Sequence, residues 1–334
     1  MKFGIQVGPI FPPGISQAEV LDFAQRQALT AKESGFDGLM HGQHFLTGPK
    51  TQYLQPVPAL AHLAGLCPGM YVRPVLLLPL LSPVEVAEQT ATLDVVSGGR
   101  LIVTAAQGYR AVEFAAFGID MKTRGERMRE VIEAMRVLWS GEHVSFRGRF
   151  YQFEDVTLGI RPLQRPRPPI GVAADLVRTA VQAAESGDGW DVSPRHSKTF
   201  LREAVTAFRE AVARKGLPPK RINLIRELCV GETTREAETA LEAAFEMTYR
   251  TMHEWAQPGE RYDRSFEELI RERAVVGDPK RVIEELTAYQ EEFGFEPFIW
   301  FRHYHPGMDF DRALLTLRLF GAEVIPALRA RFPD

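Results

Sequence analysis

Several polar side chains that could take part in chemistry follow short apolar runs of this sequence. They are His41, Gln43, His44, Gln107, Tyr109, Asp175, His196 and His303. Imidazole groups suit proton transfer and metal binding, whereas amide, hydroxyl and carboxylate groups suit hydrogen bonding to a cofactor or substrate. If the apolar runs are parallel strands of a barrel, their carboxyl ends share one face, and these side chains surround one site.

Metal-assisted hydrolysis is one chemistry open to such a set. It needs three or four ligands aimed at one point, and His41, His44, His196 and His303 could supply nitrogen atoms. However, the sequence contains no H-E-x-x-H motif. We therefore predict no metal site and keep a metal-dependent hydrolase as a less favoured alternative.

A flavin site is the second chemistry open to these residues. A flat flavin ring needs apolar walls and small residues, and the runs at 79–80, 105–106 and 172–174 provide proline, leucine, valine and alanine. The helix predicted after Asp175 would present free N–H groups to a phosphate.

Short β-type runs alternating with amphipathic helical runs must position these residues. Eight strands are predicted, at 3–8, 36–41, 70–77, 101–105, 170–174, 190–193, 222–230 and 296–301. Strands that alternate with helices indicate parallel βαβ units, and eight such units predict a (β/α)₈ TIM barrel. A doubly wound open sheet is the alternative, but the turn at 8–14 lacks the G-x-G-x-x-G pattern of a dinucleotide site.

Helix boundaries carry their own sequence signals. Capping boxes are predicted from Ser16 to Glu19 and from Ser82 to Glu85, the second with proline at the first helical position. Asp175 is predicted to cap the helix after the fifth strand.

Two insertions are expected within the barrel, one between strands 4 and 5 and one between strands 7 and 8. The first, at 142–169, reads as a hairpin with Gly148 in its turn, followed by a proline-rich run that cannot form a central strand. We predict that residues 1–334 form a single domain that contains this insertion.

Composition limits the classes of partner and compartment. The chain has 334 residues, of which 45% are hydrophobic and 25% charged, and a net charge of −3. This charge provides no basic field for nucleic acid, and the apolar runs are too short to span a bilayer. Cys67 and Cys229 form neither a disulfide framework nor a metal-ligand pattern. We therefore predict a cytoplasmic protein with no nucleic-acid or membrane partner.

Several segments, in order, resemble the bacterial luciferase-like family of flavin-dependent oxidoreductases. They are AKESGFDGLMHGQHF, LLPLLSPVEVAEQTATLDVVSGGRL, GYRAVEFAAFGID, RPLQRPRPPIGVAA, VVGDPKRV and PGMD. The resemblance covers nearly the whole chain and implies a (β/α)₈ barrel, a reduced flavin or deazaflavin cofactor, and a homodimer.

The resemblance also implies roles for individual residues. His44 is the predicted catalytic residue, although Gln43 replaces the first of two histidines found in luciferase. Gln107 replaces a phosphate-binding arginine, for which Arg110 is a candidate substitute. Gln43, His196 and His303 are the predicted substrate-pocket residues. The predicted cofactor-binding residues are Val75, Ala106, Gln107, Tyr109, Ala174, Asp175 and Thr179.

The function expected from this resemblance is that of a flavin-dependent monooxygenase. Reduced FMN, supplied by a separate flavin reductase, would react with O₂ to a C4a-peroxyflavin that oxidises a small organic substrate. The alternative is an F420-dependent enzyme that transfers a hydride without oxygen. Because Gln43 and Gln107 depart from the luciferase pattern, a catalytically idle flavin-binding protein is a further alternative.

Overall fold

A computed structural model describes residues 1–8, 10–11, 14–48, 51–255, 265–295 and 298–333 of the chain. The strands in these ranges are β1 (Lys2–Gln6), β2 (Gly38–His41), β3 (Tyr71–Leu77), β4 (Val103–Ala106), β5 (Val144–Arg147), β6 (Gln152–Val156), β7 (Ile170–Ala173), β8 (Gly189–Val192), β9 (Arg221–Val230), β10 (Ala274–Gly277) and β11 (Phe298–Arg302).

Amphipathic helices follow the strands and pack outside them. They are α1 (Gln17–Glu33), α2 (Pro56–Leu66), α3 (Pro83–Val96), α4 (Ala111–Ala116), α5 (Arg124–Ser140), α6 (Val177–Ser186), α7 (Lys198–Arg214), α8 (Thr234–Glu254), α9 (Phe266–Arg273), α10 (Pro279–Phe293), α11 (Phe310–Leu319) and α12 (Ile325–Arg331). A π-helical stretch, Phe320–Val324, joins α11 to α12.

Eight parallel strands close into a barrel, which confirms the predicted (β/α)₈ fold. Their order around the barrel is β9, β11, β1, β2, β3, β4, β7 and β8, and β8 pairs with β9 to close the ring. β4 therefore lies opposite β11. Because all strands are parallel, their carboxyl ends share one face of the barrel.

Two short elements were missed by the sequence analysis. β10 is a further parallel strand that pairs with the end of β9, from Ala274 beside Glu227 to Gly277 beside Val230. It lies in the predicted insertion between the seventh and eighth barrel strands. α4 has only six residues, which is too short for helical periodicity to be recognised.

The predicted insertion at 142–169 contains the expected hairpin. β5 and β6 pair antiparallel, separately from the barrel sheet. The N–H of Gly148 donates to the carbonyl of Tyr151 and closes the turn at 2.9 Å. Glu130 of α5 accepts hydrogen bonds from the backbone of Phe150 and Tyr151, so the hairpin is held against that helix.

The capping predictions had mixed outcomes. Ser16 and Glu19 form the expected reciprocal capping box at the start of α1. Ser82 precedes Pro83 as expected, but its side chain makes no capping hydrogen bond, so the second predicted box is wrong. Asp175 is not a cap either, because α6 begins after Leu176 and the Asp175 carboxylate bonds to an arginine instead.

Polar side chains fill the centre of the barrel beneath its carboxyl face. Arg73 is fully buried, its Nε donates to Thr104 at 2.8 Å, and its Nη2 lies 2.6 Å from Asp191. Thr104 donates to Asp191 at 2.7 Å. The indole of Trp300 lies against the Arg73 guanidinium. These contacts join three buried polar side chains into a network that provides a polar floor for the space above.

Helices long and apolar enough to cross a membrane are not found in the described ranges.

Candidate active site

A cavity of about 270 Å³ opens at the carboxyl face of the barrel. All but two of the predicted site residues line it, and those that do are Gln43, His44, Val75, Ala106, Gln107, Tyr109, Ala174, Asp175 and Thr179. The remaining two, His196 and His303, are fully buried and are not among the lining residues. The strand ends thus gather residues that are far apart in sequence.

His44 lies in a chain of hydrogen bonds at the end of β2. Its Nδ1 is 3.0 Å from Oε1 of Glu113, and its Nε2 is 3.2 Å from the hydroxyl of Tyr109. An ionised carboxylate can only accept, so Nδ1 carries the proton and Nε2 accepts from Tyr109. Burial raises the pKa of Tyr109, which keeps this phenol protonated. The carboxylate therefore fixes the tautomer and orientation of the imidazole.

Glu113 is fully buried and has two contacts besides that with His44. Its Oε1 accepts from the N–H of Phe45 at 2.8 Å and lies 3.2 Å from Nη1 of Arg110. Burial acts to raise the pKa of Glu113, but the hydrogen bond from His44 and the nearby positive charges outweigh it and lower that pKa. Arg110 also donates to the carbonyls of Phe45 and Leu46. It is thus bound within this network and is not the expected substitute for a phosphate-binding arginine.

Gln43 links two neighbouring strand ends. Its Oε1 accepts from the N–H of Leu77 at 2.9 Å, and its Nε2 donates to Gln55 at 3.2 Å. Gln55 in turn donates to the carbonyl of His44. Gln43, which replaces the histidine, therefore links the ends of β2 and β3 by hydrogen bonds beside His44.

One end of the cavity, at β4 and β7, is rich in positive charge. Arg124 at the start of α5 and Arg178 in the first turn of α6 both line it. Thr179 accepts from the N–H of Leu176 through its hydroxyl at 3.1 Å. The helix start adds N–H groups with a favourable dipole, so an anion such as phosphate suits this position. We call the side chains of Arg124, Arg178 and Thr179, together with the start of α6, the anion end.

Asp175 forms an ion pair behind the anion end. Its carboxylate bonds to Nη2 of Arg195 and lies 3.4 Å from Nε2 of His196. Burial acts to raise the pKa of Asp175, but the charge of Arg195 outweighs it and the pKa falls. His196 stacks on Phe200 with its ring 4.1 Å away. Asp175 thus balances Arg195, whereas Arg124 and Arg178 form no ion pair within the described ranges, so the anion end keeps a net positive charge.

The opposite end of the cavity, at β11, β1 and β2, has a different character. Arg302 lines it and is paired with Glu227, which lies beside it on β9; its Nε donates to Oε2 of Glu227 at 2.7 Å and its Nη2 to Oε1. Burial acts to raise the pKa of Glu227, but Arg302 and His305 bring it down to about 2. Tyr53 and Trp255 also line this end, and each packs edge-on against His44. We call this part the neutral end, because its arginine is balanced by a buried carboxylate.

The other predicted histidines are held in the protein interior. His303 is bonded to Gln27 of α1 at 3.1 Å, and burial lowers its pKa to about 3. His41 contacts the carbonyl of Gly42 through Nδ1, and burial lowers its pKa to about 4. Within the described ranges, no three His, Cys, Asp or Glu side chains converge as metal ligands would.

Sequence reasoning missed Tyr53, Glu113, Arg124, Arg178 and Trp255. Glu113 lies within a quoted family-like segment, but its separation of 69 residues from His44 hides the contact. Tyr53 lies in a loop with no periodic pattern, and the two arginines belong to helices whose cavity-facing ends depend on barrel closure. Arginines in the first turns of helices that follow strands were the available signal for the anion end.

The sequence profile of the luciferase-like monooxygenases matches residues 1–295. The oxygenase component of the flavin-dependent trigonelline monooxygenase of Acinetobacter baylyi is 28% identical over 272 residues, covering 75% of this chain and 73% of that protein. The FMNH₂-dependent dimethylsulfone monooxygenase of Pseudomonas putida is 29% identical, covering 66% and 61%. The F420-dependent glucose-6-phosphate dehydrogenase of Microbacterium testaceum is 26% identical, covering 94% of each chain.

A solved structure extends the likeness to the whole fold. Monooxygenase RslO1 from Streptomyces bottropensis superposes with a TM-score of 0.88 and 28% identity, covering 98% of this chain and 100% of that one. The closed barrel, the cavity at its carboxyl face and the profile match over most of the length agree. The chain belongs to the luciferase-like monooxygenase family and is a flavin-dependent oxidoreductase.

Proposed function

We propose that this protein is a monooxygenase that uses reduced FMN and O₂ to oxidise a small organic substrate. The observation that carries this proposal is the division of one cavity into an anion end and a neutral end, with His44 on the neutral side. A cofactor with a phosphate at one extremity and a reactive ring at the other matches this division. The relatives that are monooxygenases support the same reaction class.

The donors of the anion end fit the phosphate of FMN. Arginine pairs with phosphate through two N–H groups, and a helix N-terminus favours negative charge. Arg124, Arg178 and Gln107 would hold this group, with the uncharged Gln107 donating its amide, and Thr179, whose hydroxyl donates to the carbonyl of Leu176 at 2.9 Å, would shape the turn beside it. The luciferase-type arginine is thus replaced by arginines from two helix starts, so the substitution at Gln107 is compatible with phosphate binding.

The middle of the cavity fits a flat ring. Val75, Ala106 and Ala174 line the cavity, and their apolar side chains would lie against such a ring. Gly108 has a φ of +75°, and a Cβ at this position would lie 3.1 Å from the ring of Phe114. Glycine therefore keeps the backbone after β4 in a left-handed turn that other residues rarely adopt. Thr104 and Asp191 also line the cavity and would offer polar groups to such a ring.

The chain's own residues would control the proton near the ring. Bound reduced FMN would supply the electrons that activate O₂, by the C4a-peroxyflavin route that the resemblance implies. Nε2 of His44 accepts from the Tyr109 hydroxyl, so the imidazole could take up a proton relayed through this hydroxyl, which would regain a proton from the cavity in the same transfer, while Glu113 stabilises the resulting imidazolium. Trp255 packs on His44 and Arg110 and excludes water from this relay.

F420-dependent hydride transfer is the second candidate function. The F420-dependent relative matches over 94% of each chain, a longer stretch than either oxygenase relative covers. The same histidine would then act without oxygen. Among the residues that the structure describes, the neutral end offers no cluster of unpaired cations for a sugar phosphate, and this favours the oxygenase.

Anaerobic titration with reduced FMN and, in parallel, with reduced F420 tests the proposal. We expect tight binding of reduced FMN, followed on mixing with O₂ by a transient flavin absorbance that outlives that of free flavin. Tighter binding of F420, with no slowing of flavin oxidation, would contradict the monooxygenase and favour hydride transfer. Tight binding with no turnover of any tested substrate would favour an idle flavin-binding protein.

A separate flavin reductase is part of the proposal, since the trigonelline relative is named as an oxygenase component. Homodimer formation is proposed from the family resemblance. The cytoplasmic location rests on composition and on the two unpaired cysteines. Light scattering of the purified protein tests the dimer, and activity with an unrelated purified reductase tests whether free reduced FMN suffices.

A further inference from the structure

The neutral end contains two hydrogen-bond donors with no partner in the described ranges. Glu227 occupies Nε and Nη2 of Arg302, and no described group accepts from Nη1. The hydroxyl of Tyr53 likewise has no described acceptor, although it lies over Gly42 at the cavity wall. Polar groups in a buried pocket usually find partners, so two open donors that line the same cavity indicate a ligand.

Both donors belong to the same small region. Both residues line the same cavity, and the charge of Arg302 acts to lower the pKa of the Tyr53 phenol, against the larger effect of burial. Arg302 lies at the last residue of β11, and Tyr53 lies over the end of β2, two strands away across β1. One oxygen atom with two lone pairs can accept from both groups at once.

The charge balance of the neutral end determines whether it binds a charged or an uncharged ligand oxygen. Arg302 is neutralised by Glu227, whose carboxylate is fully buried, and burial lowers the pKa of His305, which keeps that neighbouring imidazole uncharged. An anionic group brought here would lose its water and would meet Glu227 behind the guanidinium. An uncharged oxygen would gain the same hydrogen bonds at a smaller desolvation cost.

We propose that Nη1 of Arg302 and the hydroxyl of Tyr53 bind an uncharged acceptor oxygen of the substrate, of the carbonyl type. The substrate is therefore a molecule that carries such an oxygen, and Arg302 and Tyr53 determine the orientation of that oxygen beside His44. This inference rests on the proposed function, because it assigns the substrate of the same cavity.

The experiment compares three probes of similar shape on the FMN-loaded protein. Cyclohexanone has an uncharged acceptor, methylenecyclohexane lacks it, and cyclohexanecarboxylate carries a charge. Dissociation constants come from ligand-observed NMR. We expect cyclohexanone to bind about tenfold more tightly than either of the others, the size of one well-made buried hydrogen bond.

Two variants test whether Tyr53 and Arg302 cause the tighter binding of cyclohexanone. Tyr53→Phe removes only the hydroxyl and keeps the ring against His41 and His44. Arg302→Lys keeps a cation beside Glu227 but loses the planar fork. Each is expected to reduce the preference to about threefold or less. Tyr151→Phe, on the hairpin and outside the cavity, is the control and should keep the full preference.

Tighter binding of the carboxylate, equal binding of all three probes, or an unchanged preference in both variants would overturn the inference. Binding of none of the probes would also overturn it. Failure of the wild-type protein to bind FMN would instead contradict the proposed function. The three probes would then be compared on the unloaded protein, where the same preference is expected.

Discussion

The contacts of His44 determine what this side chain can do. Its Nδ1 faces a buried carboxylate and its Nε2 faces a phenol, so one nitrogen is fixed by the protein and the other is directed towards the cavity. An imidazole oriented in this way is able to accept a proton without reorienting. The same hydrogen bonds of His44 would serve oxygen activation or hydride transfer, since both reactions need a controlled proton near the flavin ring.

Replacing His44 tests this role. His44→Ala should lower turnover by about 10²- to 10⁴-fold, the usual contribution of a positioned acid or base, while reduced FMN still binds through the anion end. Stopped-flow turnover and flavin titration measure the two effects separately. His62→Ala, an exposed histidine on α2, is the matched control. Unchanged turnover with intact flavin binding would exclude a catalytic role for His44.

Glu113 is predicted to matter for stability as well as for orientation. Glu113→Gln keeps the shape but leaves the Arg110 charge without a carboxylate, so the free energy of unfolding should fall by about 2 kcal/mol at neutral pH. Because the pKa of Glu113 is lowered in the folded protein, its contribution is present above the ordinary carboxyl pKa and is lost on acidification. Urea unfolding of both proteins should therefore show a difference at pH 7 that shrinks below about pH 4. A difference that is independent of pH would contradict this.

At the residue scale, the sequence predicted well which residues lie at the carboxyl face of the barrel. It predicted poorly which side chains contact one another. The predicted residues after β2, β4 and β7 line the cavity because barrel strands bring their carboxyl ends together. His196 and His303 also follow strands, yet their rings turn into the interior towards Asp175 and Gln27. Spacing along one strand cannot show which neighbour a side chain meets, since such contacts depend on the closed barrel.

At the scale of elements, the start of α6 and the start of α5 together form the anion end. We predict that Arg124→Met weakens the binding of FMN by about tenfold or more, the usual size of a charge-assisted hydrogen bond. Riboflavin, which lacks the phosphate, should bind both proteins equally. Arg129→Met on the exposed side of α5 is the control. An equal loss for FMN and riboflavin would show that Arg124 supports the fold and not the phosphate.

Two serines at helix starts give a matched pair for capping. Ser16 forms a reciprocal capping box with Glu19, whereas Ser82 makes no capping hydrogen bond. Ser16→Ala should therefore lower the free energy of unfolding by about 1 kcal/mol, and Ser82→Ala by only a few tenths. Denaturant unfolding of the two variants measures this. Equal losses would mean that the capping distinction between α1 and α3 is wrong in solution.

The alternation of strands and helices was sufficient to predict the barrel, because the barrel strands are buried and most of the long helices are amphipathic. Boundaries were less certain: β1 ends at Gln6 and not at residue 8, and β11 extends to Arg302 and not to 301. β10 escaped prediction because its four residues continue from α9 without a turn signal. The misassigned cap at Asp175 has a tertiary cause, since the charge of Arg195 outcompetes the helix N-terminus.

At the scale of the whole molecule, the cavity joins elements from both halves of the chain. Residues of the anion end come from β4, β7 and their helices, while the neutral end is built from β11, β1 and β2. Cofactor and substrate would thus each bridge strands that are distant in sequence. Binding of either should stabilise the closed barrel, because a ligand that binds only the folded state shifts the folding equilibrium.

The ion pair between Glu227 and Arg302 links β9 to β11 and predicts how the molecule responds to acid. Glu227 has a folded pKa of about 2, below its ordinary value, so its contribution to stability is present above about pH 4.5 and is lost as the pH falls towards 2. Because these strands are neighbours in a closed barrel, losing the pair weakens the closure of the whole ring.

If residues 1–334 form a single domain, as we propose, acid unfolding between about pH 4 and pH 2 should be one cooperative transition, seen at the same midpoint by circular dichroism and tryptophan fluorescence. Glu227→Gln should be less stable at pH 7 and should lose less stability on acidification. Two separate midpoints would show that part of the chain, such as the insertion at 142–169, unfolds independently of the barrel.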